Sequence, residues 1–598
     1  MPISSTTNHD FDKSVSTGMV DASQVHKTVV PERRSPVLAS SREHTWAMSL
    51  LADYFDIVRA LLHSPQMLEN VSTNLGETTV NDAAETAIKE RQMTMFQAIK
   101  AYPYACAWSM LFSTAIIMEG FDFTMIFSFY ALPAFQKKFG VPIGGGKYVI
   151  TPAWQTGLSN GAQVGSILGL MVNGWACDRF GYKKTICTSL VLITCFIFIT
   201  FFSVSLPMLL VGEMLCGIPW GVFQTLTTAY AAEVCPAPLR PYLTTYVNLC
   251  WVMGQFISSG VLKGVSGMNE NDQWAYRIPF ALQWIWPLPI LVGAIFAPES
   301  PWWLVRQGRL ADAANSLTRL GSLSAEGFVD VDAKINQMIF TNEMEREINA
   351  GTTYFDCFKG TNLRRTEIVC MVWMIQTLAG SGFIGYSTTF FERAGLSSSN
   401  AFSLSLGNYA LGAVGTISSW WTMQWFGRRD LYMWGLLAMS IVLFGVGGSG
   451  FGKSSGASWA SGALIVVYSF LYQFTVGPVC YCLVAEIPST RLRAKSVVLA
   501  RTSYNIIGII NNIIFPRMLS PLSWNWNAKA GFFWGASCLL CTIWCFFRLP
   551  EPKGRSYLEL DIMFEDRISA RHFKTTAVDV RAHARSDEKH YEPMGGVH

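Results

Sequence analysis

The chain has 598 residues, of which 51% are hydrophobic and only 14% are Asp, Glu, Lys or Arg, with a net charge of +4. Soluble proteins carry roughly 25% charged residues; here the charge sits in about the first hundred residues and the last forty, while between 105 and 549 apolar runs near the bilayer length recur between short polar breaks. A soluble enzyme and a secreted scaffold are disfavoured, and so is a nucleic-acid-binding protein, because the basic residues are scattered over short loops and form no stripe.

In chain order, residues 1–100 contain no apolar signal-peptide core and are expected to form a cytosolic, largely disordered arm with an amphipathic stretch at Trp46–Leu62. Membrane spans are expected near 105–130, 154–174, 186–204, 207–231, 244–264, 279–297, 368–390, 403–424, 431–450, 461–485, 498–519 and 530–549. The fold class is thus an all-α polytopic membrane protein of twelve helices, divided into a six-helix bundle at 101–297 and another at 368–549. The linker at 298–367 carries charges and the helix-compatible stretches Leu310–Leu320 and Val331–Ile348, which read as cytosolic amphipathic helices; a cytosolic tail follows at 550–598. Lys and Arg concentrate in the even loops and the linker (Arg179, Lys183, Lys184, Arg240, Arg306, Arg309, Arg428, Arg429, Arg491 and Arg493), which puts both termini inside. On that topology the sequon at Asn70 stays unglycosylated. Trp302, Trp303, Trp524 and Trp526 are expected at interfaces as belt anchors.

The halves repeat one another. Gly174 to Gly181, with Asp178-Arg179, returns in weakened form around Gly427-Arg428-Arg429; Glu233 to Arg240 returns as Glu486 to Arg493; Pro298-Glu299 returns as Pro550-Glu551, each about 250 residues further on. Two related bundles with a substrate site between them near the midplane are what an alternating-access carrier needs. The fourteen cysteines lie mostly in apolar runs without metal-ligand spacing and read as packing residues. No phosphate-binding loop occurs, so neither a nucleotide nor another cofactor is expected, and no metal. Gly157, Gly161, Gly165, Gly169, Gly412 and Gly415 read as close-packing surfaces between helices.

Gly-x-x-x-Asp178-Arg179-x-Gly181, Pro298-Glu-Ser-Pro-Trp-Trp-Leu-Val-Arg306, Gly477-Pro478 with Glu486 and Arg493, and Pro550-Glu-x-Lys-Gly-Arg555 resemble the sugar-porter family of the major facilitator superfamily. Ser128 to Lys138, the stretch from Cys216 through Trp220, and the tryptophan pair at 302–303 resemble its fungal maltose and α-glucoside permeases. At the inner helix ends, Asp178, Arg179, Glu233, Arg240, Glu299, Arg428, Glu486 and Arg493 form a candidate cytosolic gate in which carboxylate–guanidinium pairs tie the halves together when the carrier faces out.

Charges inside a bilayer are costly and mark function. Glu119 and Asp122 lie three apart on one face of the first helix, and two carboxylates so close disfavour double ionisation, which makes a proton site. The resemblance places a proton-coupling aspartate at Asp122. Glu213 stands where monosaccharide symporters usually carry an arginine, which leaves Arg501 of the eleventh helix as the candidate counter-ion. Sugars call for amides, phenols and aromatic faces. Asn248 and Gln255 lie seven apart, on one helix face, where the family uses two amides; Gln376, Thr377, Tyr386, Tyr481, Tyr504 and Asn505 fall at further sugar-contacting positions. Thr377 and Gly382 replace larger family residues, which suits a disaccharide.

The reading that results is a plasma-membrane importer of α-glucosides such as maltose together with protons, acting in the bilayer as a monomer without nucleic acid and without enzymatic activity. A sugar sensor, a facilitator, and a symporter for a β-linked disaccharide, a hexose or a raffinose-type oligosaccharide are the alternatives.

Overall fold

The computed structural model describes residues 85–86, 89–90, 93–236, 238–321, 330–349, 353–452, 454–489, 492–555 and 557–576. Trp46–Leu62 and Asn70 lie outside them. Among the described residues, twelve long helical segments follow in order. They are Pro103–Phe129 with a joint at Thr114, Pro152–Phe180, Tyr182–Phe201, Leu206–Val234, Arg240–Val265 and Trp274–Phe296, then 360–393, Ser398–Trp425, Arg428–Ser449, Ser455–Glu486, Arg493–Leu519 and Ala530–Arg548. We refer to them as spans one to twelve. In hydrocarbon each backbone donor and acceptor must be met within the segment, so runs of this composition become helices. Several begin with a proline in the first turn, where its missing N–H costs nothing.

Eight segments are apolar and long enough to cross a membrane on composition alone. The second, fifth, seventh and eighth spans are equally long, but carry buried polar side chains: Gln155, Ser159 and Ser166; Asn248 and Gln255; Gln376 and Thr377; Ser405, Asn408 and Thr416. These polar side chains are buried inside the protein, several of them bonded within their own half, and they are why hydropathy ranks these spans below the rest.

The seventh span differs from the continuous helix expected at 368–390. It stops at Leu378, resumes as Gly382–Gly385, and after Tyr386 continues as Ser387–Arg393. Gly380 has φ +94°, a conformation side chains resist, and a β-carbon on Gly382 would stand 2.6 Å from the Phe515 ring. The carbonyls freed by the break are met by Tyr468, whose hydroxyl donates to Ala379 at 2.9 Å, and Ser537, which donates to Leu378 at 2.7 Å. The tenth span contains a π turn at Tyr472–Val476 ahead of Gly477-Pro478, whose ring nitrogen has no N–H to continue the α-helical ladder. A short antiparallel hairpin, Val141–Gly144 with Lys147–Val149, lies between the first two spans and was not foreseen; Gly144, Gly145 and Gly146 all take positive φ in its turn.

The linker forms Pro301–Arg306, Leu310–Leu320 and Val331–Asn349, the last two as expected from the sequence to within one residue. Lys334 of the third helix makes a buried ion pair with Glu90. The tail helix Tyr557–Glu565 packs on the seventh span, where Arg365 pairs with Asp561 and its guanidinium lies 4.4 Å from the centre of the Phe564 ring.

Two apolar clusters form the core. One fills the linker end of the first half with Phe112, Ile186, Tyr230, Leu304 and Leu317. The other runs through the second half and into the far ends of the first half's spans, including Met125, Phe129, Leu158, Leu262 and Phe280. The halves therefore share a core at the end remote from the linker. Hydrogen bonds reinforce this: Ser128 with Thr388 at 3.2 Å, Thr156 to the Asn512 carbonyl at 3.1 Å, and Lys263 to the Ser399 carbonyl and hydroxyl at 2.9 and 2.8 Å.

Within the first half, spans two and four meet backbone to backbone. A β-carbon on Gly165 or Gly169 would lie 2.1 Å from the Met214 carbonyl or 2.0 Å from that of Ile218, and Gly217 and Gly221 on the fourth span are equally tight. Gly157, grouped with these from sequence, has only Trp154 at 4.0 Å and is no packing glycine; Gly412 has ordinary contacts. Gly169→Leu is expected to cost at least about 3 kcal/mol by overpacking, lowering the thermal unfolding midpoint in detergent, whereas Gly157→Ala should shift it little.

Candidate transport site

The first and fifth spans cross at Gly120 and Gly254. A β-carbon on Gly120 would lie 2.2 Å from the Trp251 carbonyl, and one on Gly254 2.2 Å from the Ile117 carbonyl. This contact sets the rotation of the first span, so that Glu119 and Asp122 face a cavity between the halves. The cavity is also lined by Ser159, Gln163, Glu213, Trp220, Gln224, Trp251, Arg501 and Tyr504. About 50 Å³ is open to water-sized molecules, room for water and not for a sugar, so loading requires the halves to part.

All three carboxyl groups are buried. Asp122 accepts a short hydrogen bond from the Gln283 amide of the sixth span. Glu213 stands carboxyl to carboxyl with Asp122, and neither of its oxygens accepts from a donor among the described residues. Glu119 accepts from the Gln224 amide on one oxygen, while its other oxygen has no partner among the described residues. Arg501, the counter-ion expected from the sequence, reaches Glu119 through Gln224, whose carbonyl accepts from its Nε at 3.1 Å and Nη2 at 2.7 Å. The guanidinium is held from its own half, 4.7 Å from the ring centre of Trp373 and 4.9 Å from that of Tyr504.

Of the candidate sugar contacts, Tyr504 lines this cavity. Asn505 borders it by accepting from Gln163 Nε2 at 2.6 Å, and Tyr481 and Tyr504 both pack edge-on with Trp373, with ring centroids at 5.1 and 5.4 Å. Tyr386 lies towards the closed end, its hydroxyl 3.3 Å from Ser159 and its ring stacked on Phe515. Tyr130 bonds the same Ser159 at 3.0 Å, so one serine of the first half joins tyrosines of both. Gln376 accepts from the Tyr472 hydroxyl at 3.0 Å. Asn248, Gln255, Gln376 and Thr377 are buried but do not line this cavity; Asn248 Nδ2, Gln255 Oε1 and Gln376 Nε2 have no partner among the described residues. Gln224, Gln283, Gln163 and Trp373 were missed from the sequence. Gln283 is an amide in an otherwise apolar run, a signal that could have found it.

At the linker end the two halves repeat one arrangement. Glu299 accepts from the backbone N–H groups of Tyr182 at 3.0 Å, Lys183 and Ser300, and Glu551 from those of Arg428 at 2.9 Å, Arg429 and Lys553. Each carboxylate caps the N-terminus of a span, where free N–H groups and the helix dipole favour negative charge. Burial pushes Glu299 above the usual carboxylate range, against the pull of these donors. Glu233 pairs with Arg306 at 2.7 Å and accepts from the hydroxyls of Tyr182 and Ser300, while Glu486 pairs with Arg428 at 3.4 Å. These two gate pairs each lie within one half and its adjoining linker; the cross-half pairing expected for an outward-facing carrier is not formed by them. Arg240 Nε donates to the Cys235 carbonyl, and Asp178 offers its carbonyl to Trp303 Nε1 at 3.1 Å. Arg179 is exposed, and the Arg493 side chain lies outside the described residues. Trp303 is thus buried in this network and is no interfacial anchor, unlike the exposed Trp524 and Trp526.

Two repeated six-helix halves around a charged midplane cavity define a membrane carrier. The family model described as "Sugar (and other) transporter" matches residues 108–564, and the chain belongs to that family. Maltose permease MAL31 of Saccharomyces cerevisiae is 45% identical over 516 residues, 86% of this chain and 84% of its own. The general alpha-glucoside permease of the same yeast is 44% identical over 513 residues, 86% and 83%. Its alpha-glucosides permease MPH3 is 41% identical over 575 residues, 94% and 95%. The xylose transporter XylE from E. coli, solved in a partially occluded inward open conformation, superposes with a TM-score of 0.63 at 19% identity, over 76% of this chain and 100% of that one, and shares the fold.

A β-carbon on Gly427 would lie 2.0 Å from Glu551 Oε2. Gly427→Ala should therefore displace the cap and cost about 1–3 kcal/mol, read as a lower unfolding midpoint in detergent. Glu551→Gln, which keeps the shape and loses the charge, should cost less.

Proposed function

We propose that this chain imports α-glucosides such as maltose together with protons across the plasma membrane, by alternating access of its two halves, with both termini in the cytosol. The observation that carries proton coupling is the cluster of Glu119, Asp122 and Glu213 beside one guanidinium in a water-sized cavity. Two ionised carboxylates in contact are both acceptors and cannot bond; one proton between Asp122 and Glu213 turns repulsion into a hydrogen bond. The cost of bare charge at membrane depth thus favours reorientation with the proton aboard. The substrate class rests on the extent of similarity to the yeast maltose and alpha-glucoside permeases. Asn248, Gln255 and Gln376, with amide atoms that have no partner among the described residues, are the residues proposed to meet sugar hydroxyls once the halves part. Tyr481, Tyr504 and Trp373 supply the aromatic faces.

Yeast without permeases of its own, expressing this chain in lightly buffered medium, should alkalinise that medium on a pulse of maltose and not on a pulse of cellobiose. Asp122→Asn should cut gradient-driven accumulation at least about tenfold, with the protein still at the cell surface. Uptake without alkalinisation would indicate a facilitator, and neither signal from a surface-localised protein would indicate a sensor or another sugar.

A further inference from the structure

The amide of Gln224 sits between a group that can only donate and a group that can only accept. A guanidinium has no acceptor and an ionised carboxylate no donor. Arg501 occupies the Gln224 carbonyl with two N–H groups, at 3.1 and 2.7 Å, which leaves the Gln224 amino group for Glu119. Turning the amide over would set donor against donor on one side and acceptor against acceptor on the other, so its orientation is determined. Both ends are anchored independently: Glu119 by the crossing of the first and fifth spans at Gly120, Arg501 by Trp373 and Tyr504 of the second half. Among the described residues, the remaining titratable or charged groups around this link are Asp122 of the first span, Glu213 of Gln224's own span, Tyr504 of the eleventh and Cys480 and Tyr481 of the tenth.

We infer that Gln224 is a positioning residue that ties Glu119 of one half to Arg501 of the other and makes the hold between the halves depend on the charge of Glu119. The inference rests on the symport reading above. With Glu119 ionised, the amide bond to it is charge-assisted and the amide is polarised from both ends. With a proton on Glu119 that bond falls to neutral strength, roughly half, and the hold on Arg501 weakens with it. Gln224 thereby carries the proton state of the first span to the second half, without touching the proton itself.

The test compares proton-driven accumulation with labelled-maltose counterflow, which needs no gradient, in Gln224→Met, Glu119→Gln and the double variant. Gln224→Met keeps side-chain length and removes all three hydrogen bonds. Its ratio of accumulation to counterflow should fall about tenfold, and the double variant should lose no more of that ratio than Glu119→Gln alone, because the two side chains act through one link. Gln224→Glu, which still holds Arg501 but when ionised cannot donate to Glu119, should lose the ratio as well, and serves if the methionine variant does not reach the surface. An unchanged ratio in both Gln224 variants, a proportional fall of counterflow and accumulation, or additive losses in the double variant would each overturn the role of Gln224. Sugar entry without proton uptake in the unmodified chain would overturn the symport reading instead, so the two failures are told apart.

Discussion

Among the described residues, three buried carboxyl groups share one cavity with one guanidinium, and the guanidinium reaches one of them, Glu119, through an amide. An ionised carboxylate in a low-dielectric site is tolerated when a cation or several donors offset its lost hydration. Here Asp122 has one amide donor, Glu119 has one, and Glu213 has none among the described residues. The free energy of the site thus depends on how many protons it holds. That dependence is the physical resource a proton-driven carrier needs, and the surrounding architecture serves to maintain it.

Backbone contact, more than side-chain packing, supplies the support. Gly120 and Gly254 let the first and fifth spans touch, and Gly165, Gly169, Gly217 and Gly221 do the same for the second and fourth. Close crossings leave little freedom to rotate, so Glu119 and Asp122 cannot turn out to lipid, and Glu213 and Gln224 stay opposite them. Between the halves, apart from the Gln224 link, the joints are of another kind. Ser128–Thr388, Tyr130–Ser159–Tyr386 and Lys263–Ser399 are hydrogen bonds without a carboxylate partner. Each is worth about 0.5–3 kcal/mol net, a size that sugar binding can offset. Rigid halves with breakable joints are the mechanical requirement of alternation.

At the linker end the repeated Glu299 and Glu551 caps show the duplication most directly. Each carboxylate closes over a helix N-terminus at a glycine, Gly181 or Gly427, that leaves no room for a β-carbon. Both therefore join elements within a half, holding the end of its sixth span to the start of its third, and leave Glu233 and Glu486 to engage arginines.

Much of this could be read in the order of the residues. Span number, the linker helices, the repeat and the pair Glu119 and Asp122 follow from hydropathy, spacing and the cost of charge in a bilayer, which are properties of local sequence, while Glu213 and Arg501 were legible through the family resemblance. The break in the seventh span was half visible: Ala379-Gly-Ser-Gly382 shows a weak helix, but only the close approach of Phe515 and the hydroxyls of Tyr468 and Ser537 explain a break there. Arg501 was expected as a counter-ion in the cavity, yet its link to Glu119 through Gln224 depends on the relative depth of the fourth and eleventh spans, which lie far apart in the chain. The same holds for Gln283 against Asp122, and for the four amide and hydroxyl positions that stay outside this cavity. Chemistry borne by one residue or one helix is encoded locally and was determined by the sequence itself; which oxygen meets which donor was decided only by the tertiary structure, because it depends on crossing depths and helix rotations fixed by contacts between distant segments.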